Sequence, residues 1–166
     1  MIGRILNRAR KTLIMMRYKL KFRSRLNYKK LYFNKGFRIL IEKPGKLSIG
    51  NRTFFNNYCS INCLNHIEIG NNCLFGEGVK LYDHNHIFNI DSKLIRDCDL
   101  KCGEIIIGNN CWIGSNAVIL SGTKIGDNCV IGAGAIVKGN IASNSILKTC
   151  QNYSVEEIHY KTEEGK

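Results

Sequence analysis

"IGNNCWIGSNAVILSGTKIGDNCVIGAGAIV", residues 107–137, repeats itself every six residues. Ile107, Ile113, Ile119, Ile125, Ile131 and Val137 each open a hexad whose second residue is often glycine and whose fifth is usually small. A six-residue period fits neither an amphipathic helix, with its repeat of about 3.6 residues, nor a single long strand, which alternates from residue to residue. It fits short strands joined by tight turns, the mark of a repeat architecture.

Upstream, Ile69, Phe75 and Leu81 open three more hexads, and Ile49, Phe55 and Ile61 another three, with two extra residues before Ile69. Three hexads make one 18-residue coil of a triangular prism. The first residue and the small fifth one (Thr53, Cys59, Cys73, Val79, Cys111, Ala117, Thr123, Cys129, Ala135) are expected to point into a narrow interior, where stacked coils bury a continuous core. Gly50, Gly70, Gly108, Gly114, Gly126 and Gly132, with Asn51, Asn71, Asn109 and Asn128, are expected at corners that need unusual backbone angles.

The period also interprets the cysteines, eight in all (59, 63, 73, 98, 102, 111, 129 and 150). Cys59, Cys73, Cys111 and Cys129 occupy the fifth position, where a thiol serves as a compact hydrophobe. The N-terminus lacks a secretory pattern, so reduced thiols of a cytoplasmic protein are expected rather than a disulfide framework. Cys98 and Cys102 lack the tighter spacing of common zinc pairs, and no metal is expected.

Between Leu81 and Ile107 the phase is broken by 20 residues, 87–106, which read as a loop leaving the prism. "LYDHNHIF", residues 81–88, stands at its root with Asp83, His84, Asn85 and His86 in sequence. Loops on rigid repeat scaffolds commonly carry binding and catalytic groups. Asp83 could orient or charge-stabilise an imidazole, although adjacent side chains rarely face each other in extended chain. A metal site built on the two histidines would need ligands that the sequence does not space for it.

A chain of 166 residues is most simply one domain, and it holds no apolar run long enough for a transmembrane helix. Its net charge of +12 is concentrated: residues 1–38 hold 13 Lys and Arg with no acid, against 12 bases and 13 acids in 39–166. The expected organisation is a basic, partly helical arm over 1–40, a repeat domain over 41–146 and a tail over 147–166. Ile2, Ile5, Leu6, Ala9, Leu13, Met16 and Leu20 fall at helical spacing with Arg4, Arg8, Lys11 and Arg17 off that line. Such an arm suits an anionic membrane surface, a helix packed on the prism, or steering of an acidic glycan. No nucleic-acid-reading motif accompanies the charge, so nucleic acid is not an expected partner.

The hexads, the Asp-His-Asn-His run before a looped excursion, and the stretch over 105–137 resemble the hexapeptide-repeat acyltransferases, especially the maltose and galactoside O-acetyltransferase branch with its polysaccharide O-acetyltransferase relatives. The resemblance covers residues 47–146. It implies an all-β fold, a left-handed parallel β-helix, assembled as a homotrimer with each active site between neighbouring helices. It implies acetyl-CoA as donor, a glycan or sugar-nucleotide acceptor, and His84 as general base, with Asn56, Asp83, His86 and Trp112 toward the acceptor. Trp112, Ser115, Ala133 and Lys138 fall where the family contacts CoA, although "VKGNIASNSI" departs from its usual threonine-lysine pair. The implied reaction is O-acetylation of a cell-surface polysaccharide or its precursor, on the cytoplasmic side. N-acetylation of a nucleotide-linked amino sugar and a non-catalytic trimeric scaffold are the alternatives, since a fold does not fix a function.

Overall fold

The computed structural model describes residues 2–149, with side chains from residue 9 onward. Its 17 solenoid strands form three parallel sheets of six, six and five, the faces of a triangular prism. Coil-to-coil pairing follows the hexads: Ile49 lies over Ile69, Ile69 over Ile107 and Ile107 over Ile125 on the first face. Phe55, Phe75, Ile113 and Ile131 stack on the second face, and Ile61, Leu81, Ile119 and Val137 on the third. The left-handed parallel β-helix expected from the resemblance is the fold.

The interior is closed by the first position of every hexad and by the nine small fifth residues named above, all of them buried. The fifth position is more than compact. Cys59, Cys73, Cys111 and Cys129 donate their thiols to a main-chain carbonyl of the next coil at 3.0–3.1 Å, and Thr53 donates its hydroxyl to Gly70 O at 2.9 Å. A small residue with a donor satisfies a buried carbonyl that an alanine would leave to other partners.

The glycines require a correction. Positive φ falls on the fourth hexad residue, at Asn72 (57°), Asn110 (54°), Asn116 (58°) and Asn128 (57°), and also at Arg52 and Tyr58. Of the residues expected to need it, only Asn128 does. The second-position glycines instead answer to close approach: a Cβ on Gly70 would lie 2.5 Å from Gly108 O, and one on Gly50 2.5 Å from Gly70. At the adjoining third position the side-chain oxygens of Asn71, Asn109 and Asp127 accept from the backbone N–H one coil earlier, forming a ladder along the corner.

The prism also begins earlier than residue 41. Leu26–Tyr28, Leu31–Phe33 and Arg38–Ile41 pair with the coil beneath them, so the first turn of the solenoid lies inside the expected arm. Aromatic stacking runs from this coil into the next two, Phe37 on Phe55 at 4.7 Å and Phe55 on Phe75 at 4.3 Å between ring centroids. Helix α1 (Ile2–Phe22) covers this end, burying Met15 and Phe22. Ile39 N–H donates to the Tyr18 hydroxyl, while Lys19 and Arg25 donate to the carbonyls of Leu26 and Ile41. An open terminal coil presents unpaired backbone groups, and the helix and its flanking cations satisfy several of them. The tail, with Cys150 and His159, lies almost entirely outside the described residues.

Two outcomes test this packing. Gly70→Ala should destabilise the fold by about 1–3 kcal/mol, as overpacking does, seen as a lowered midpoint in thermal or denaturant unfolding. The buried thiols make the fold sensitive to alkali: burial and then Asp83 push Cys63 up to about 12, and burial also raises Cys59. A thiol held above its unfolded value stabilises the fold below that value, about 8.5, and the contribution is lost as pH rises through the folded one. Melting temperature should therefore decline between pH 9 and 11 beyond what Cys63→Ala shows; matching profiles for the two proteins would refute the linkage.

Candidate active site

The excursion departs from the third face at the end of strand Lys80–Tyr82 and returns into Glu104–Ile107. It occupies 84–103 rather than 87–106, because Glu104, Ile105 and Ile106 already lie in register with His66, Ile67 and Glu68. Its length matches the 20 residues expected; its frame is shifted by three. The base is clamped by Gly103 N–H donating to Asp83 O at 2.7 Å and by an antiparallel pair in which His84 faces Cys102 and His86 faces Leu100.

Asp83 is the pivot between prism and excursion, and it is completely buried. Its carboxylate accepts from Leu64 N–H at 2.8 and 3.0 Å and from Asn65 N–H at 2.8 Å. Leu64 and Asn65 sit in the segment that carries the two extra residues before Ile69, so the upstream phase slip supplies the amides that hold this carboxylate. The buried charge is thereby hydrogen-bonded by main chain, as a buried carboxylate must be. A direct acceptor contact for Asp83 is corrected by this burial.

Asp83 instead orients its neighbour: His84 Nδ1 lies 3.1 Å from Asp83 Oδ1. The two adjacent side chains meet because the chain leaves the sheet between them, which relieves the alternation of extended strand. A carboxylate can only accept, so this contact calls for a proton on Nδ1 and leaves Nε2 as the ring nitrogen turned toward a ligand. The imidazole is mostly enclosed, with 19% of its side chain exposed, and Tyr82 stands edge-on to it at 6.3 Å. A partly enclosed imidazole with a fixed tautomer and a buried carboxylate behind it is equipped to take a proton from a hydroxyl.

His86 is exposed two residues further along the same strand, on the face that His84 occupies. Asn56 lies at the corner between the second and third faces, where its side-chain oxygen accepts from Asn57 N–H at 2.8 Å and Asn34 Nδ2 at 3.0 Å. That oxygen fixes the turn, leaving the amide nitrogen as the group Asn56 could offer a ligand. Ser115 and Ala133 are exposed along the same corner in successive coils. A Cβ on Gly114 would meet Ala133 N at 2.5 Å, so the main chains pass at close range and the corner carries little side-chain bulk. Such a strip suits the extended arm of a coenzyme. Trp112 is 55% exposed on the second face between Leu74 and Val130. Lys138 is exposed just past strand Ile136–Val137, at the corner from which the excursion leaves in an earlier coil. Within one chain, His84 and Lys138 therefore stand a full face away from Asn56, Ser115 and Ala133.

The tie from Leu64 and Asn65 to Asp83 escapes sequence reading, although the two extra residues marked its place. Cys63 shares that corner, fully buried, with its thiol donating to Lys46 O at 3.3 Å. Cys98 is buried with its thiol toward Leu94 O at 3.4 Å, whereas Cys102 is exposed. Among the described residues no group of three or more His, Cys, Asp or Glu is arranged to hold a metal ion.

Comparison with known proteins agrees with this architecture. The family described as bacterial transferase hexapeptide (six repeats) matches residues 104–139. A Dictyostelium discoideum protein bearing the name acetyltransferase is 34% identical over 142 residues, spanning 81% of this chain and 73% of that protein. WbbJ of Escherichia coli (strain K12), named as a lipopolysaccharide biosynthesis O-acetyl transferase, is 25% identical over 134 residues, 76% of this chain and 68% of its own. Among solved structures, the hexapeptide-repeat acetyltransferase VCA0836 of Vibrio cholerae O1 biovar eltor, complexed with acetyl coenzyme A, superposes with a TM-score of 0.66 at 26% identity, covering 80% of this chain and 70% of that one. A maltose O-acetyltransferase from Clostridium difficile 630 gives 0.62 at 29% identity, over 75% and 66%.

Replacing the buried carboxylate should release the imidazole. In Asp83→Asn, nitrogen NMR of the His84 ring is expected to change from a single neutral tautomer, protonated at Nδ1, to a mixture; a spectrum identical to that of the parent would show that Asp83 does not set the proton's position.

Proposed function

The chain belongs to the hexapeptide-repeat transferase family and is an acyltransferase, and from that premise we propose that it moves an acetyl group from acetyl-CoA to a sugar hydroxyl of a cell-surface polysaccharide or its precursor, with His84 as general base. The observation that carries this reading is the Asp83–His84 pair, 3.1 Å apart, in which Nδ1 donating to the carboxylate would leave Nε2 to accept a proton. The similarity to proteins named for maltose and lipopolysaccharide O-acetyl transfer supports a sugar acceptor.

Acetyl-CoA brings a carbonyl already activated as a thioester. His84 Nε2 takes the acceptor hydroxyl's proton as that oxygen attacks, and the resulting imidazolium is stabilised by the Asp83 carboxylate behind it. His84 then returns the proton to the departing sulfur. No side-chain nucleophile is required, because holding both substrates in one cleft supplies much of the rate. Ser115 and Ala133 would offer backbone along the donor's pantetheine arm, Lys138 a cation for its phosphate, and Trp112 an aromatic wall. Asn56 and His86 would bind the acceptor.

The division of these groups between two corners supports assembly as a homotrimer, in which a neighbouring copy would bring its Ser115–Ala133 corner to the His84 corner of this one. The apolar residues left exposed on prism and excursion, among them Leu94 (66%), Ile95 (54%) and Ile136 (72%), are the kind of surface such a contact covers. We place the enzyme in the cytoplasm on the chemistry of its seven described cysteines, all free thiols.

The test is coenzyme A release from acetyl-CoA against a panel of surface glycans and nucleotide sugars. His84→Ala should lose acceptor-dependent turnover by roughly 100-fold or more while retaining CoA binding. Equal turnover in the two proteins would remove His84 from the mechanism. An amine acceptor with an alkali-stable product would redirect the reading to N-acetylation, and absence of both turnover and CoA binding to a scaffold.

A further inference from the structure

Helix α1 has two apolar faces, and the prism uses only one. The packed face is Met15 and Phe22, both buried, with Ile14 and Tyr18 partly buried beside them. At about 100° per residue, Leu13, Met16 and Leu20 point almost directly the other way. They are 58%, 55% and 76% exposed. These are the outer members of the stripe expected from the sequence; the residues that dock the helix are a different set. An apolar stripe on the solvent side of a helix whose core-facing side is already satisfied contributes nothing to the fold of this chain and signals a partner.

The surroundings of the stripe identify the chemistry of that partner. Arg10, Arg17 and Lys21 are exposed along one flank. The helix carries no acidic residue, and the first acid of the chain is Glu42. Beside the helix a groove of about 650 Å³ is lined by Lys11, Lys29, Lys30, Tyr28 and Tyr32 among others, again with no acid. Apolar side chains that can enter acyl chains, cations at the level of phosphates, and tyrosines beside them are the elements of an interfacial helix.

We propose that α1 is a docking surface for an anionic phospholipid bilayer: it lies in the plane of the membrane with Leu13, Met16 and Leu20 inserted and Arg10, Arg17 and Lys21 against the headgroups, while Met15 and Phe22 hold the prism beneath it. The inference is independent of the reaction, since none of these residues belongs to the His84 corner. It places the capped end of the solenoid on the membrane, and with it an acceptor attached to lipid would be met at the surface.

The full chain, mixed with vesicles of phosphatidylcholine alone or containing about 30% phosphatidylglycerol, is assayed by flotation. Wild type should float with the anionic vesicles and remain free of the neutral ones. Leu13→Ser/Met16→Ser/Leu20→Ser should lower partitioning by more than about tenfold, as should Arg10→Gln/Arg17→Gln/Lys21→Gln. Circular dichroism and turnover of soluble acceptor, both unchanged, would show that the variants fold. Failure of wild type to float, or equal flotation of folded apolar variant and parent, overturns the proposal. So does a drop in oligomeric mass in the apolar variant with vesicle binding intact, which would assign the stripe to contact between copies.

Discussion

Every coil of this solenoid must occupy the same cross-section as the one above it. Inward side chains sit directly over their counterparts, and the second-position glycines of successive coils approach so closely that a single added carbon would collide with main chain. The interior therefore has no slack for an extra residue; length variation has to be expelled at a corner. Two such expulsions occur at the corner between the third and first faces: the enlarged turn at Leu64 and Asn65, and the excursion over 84–103 one coil later. The candidate site is built from both.

That geometry explains what the sequence disclosed and what it withheld. The repeat from Ile49 to Val137 was legible because each inward position has one volume class and one period, and the pairing obeys it residue by residue. The first coil was hidden because only one step of it, Phe33 to Ile39, keeps the six-residue interval: five residues separate Tyr28 from Phe33, and ten separate Ile39 from Ile49. Left-handed backbone was assigned to glycines by chemistry, yet it falls on the fourth position, including Arg52 and Tyr58, which intrinsic preference disfavours and the fixed corner imposes. The excursion's length was countable, but its frame depended on where strand pairing resumes.

At the site, the Asp-His sequence was visible but the roles were not separable. Asp83 and His84 differ in exposure and in partners because the prism surface passes between them. One is held by main-chain amides in the interior, and the other is turned outward with Nδ1 against the carboxylate. Helix α1 posed the same problem in another form, since its periodicity identified an apolar face without saying that a second set, on the opposite side, would dock. Tertiary packing selected Met15 and Phe22, and the more regular stripe was left to solvent.

The amides that grip Asp83 belong to the backbone, so no ordinary side-chain change at Leu64 or Asn65 abolishes them; only proline removes such a donor. The orientation of the imidazole is thus written in chain length rather than in residue identity. The two extra residues of the preceding coil and an aspartate at the departure point form one structural unit. A chain with uniform hexads at that corner lacks the enlarged turn, and would have to fix its imidazole by another route even if it kept the same Asp-His pair.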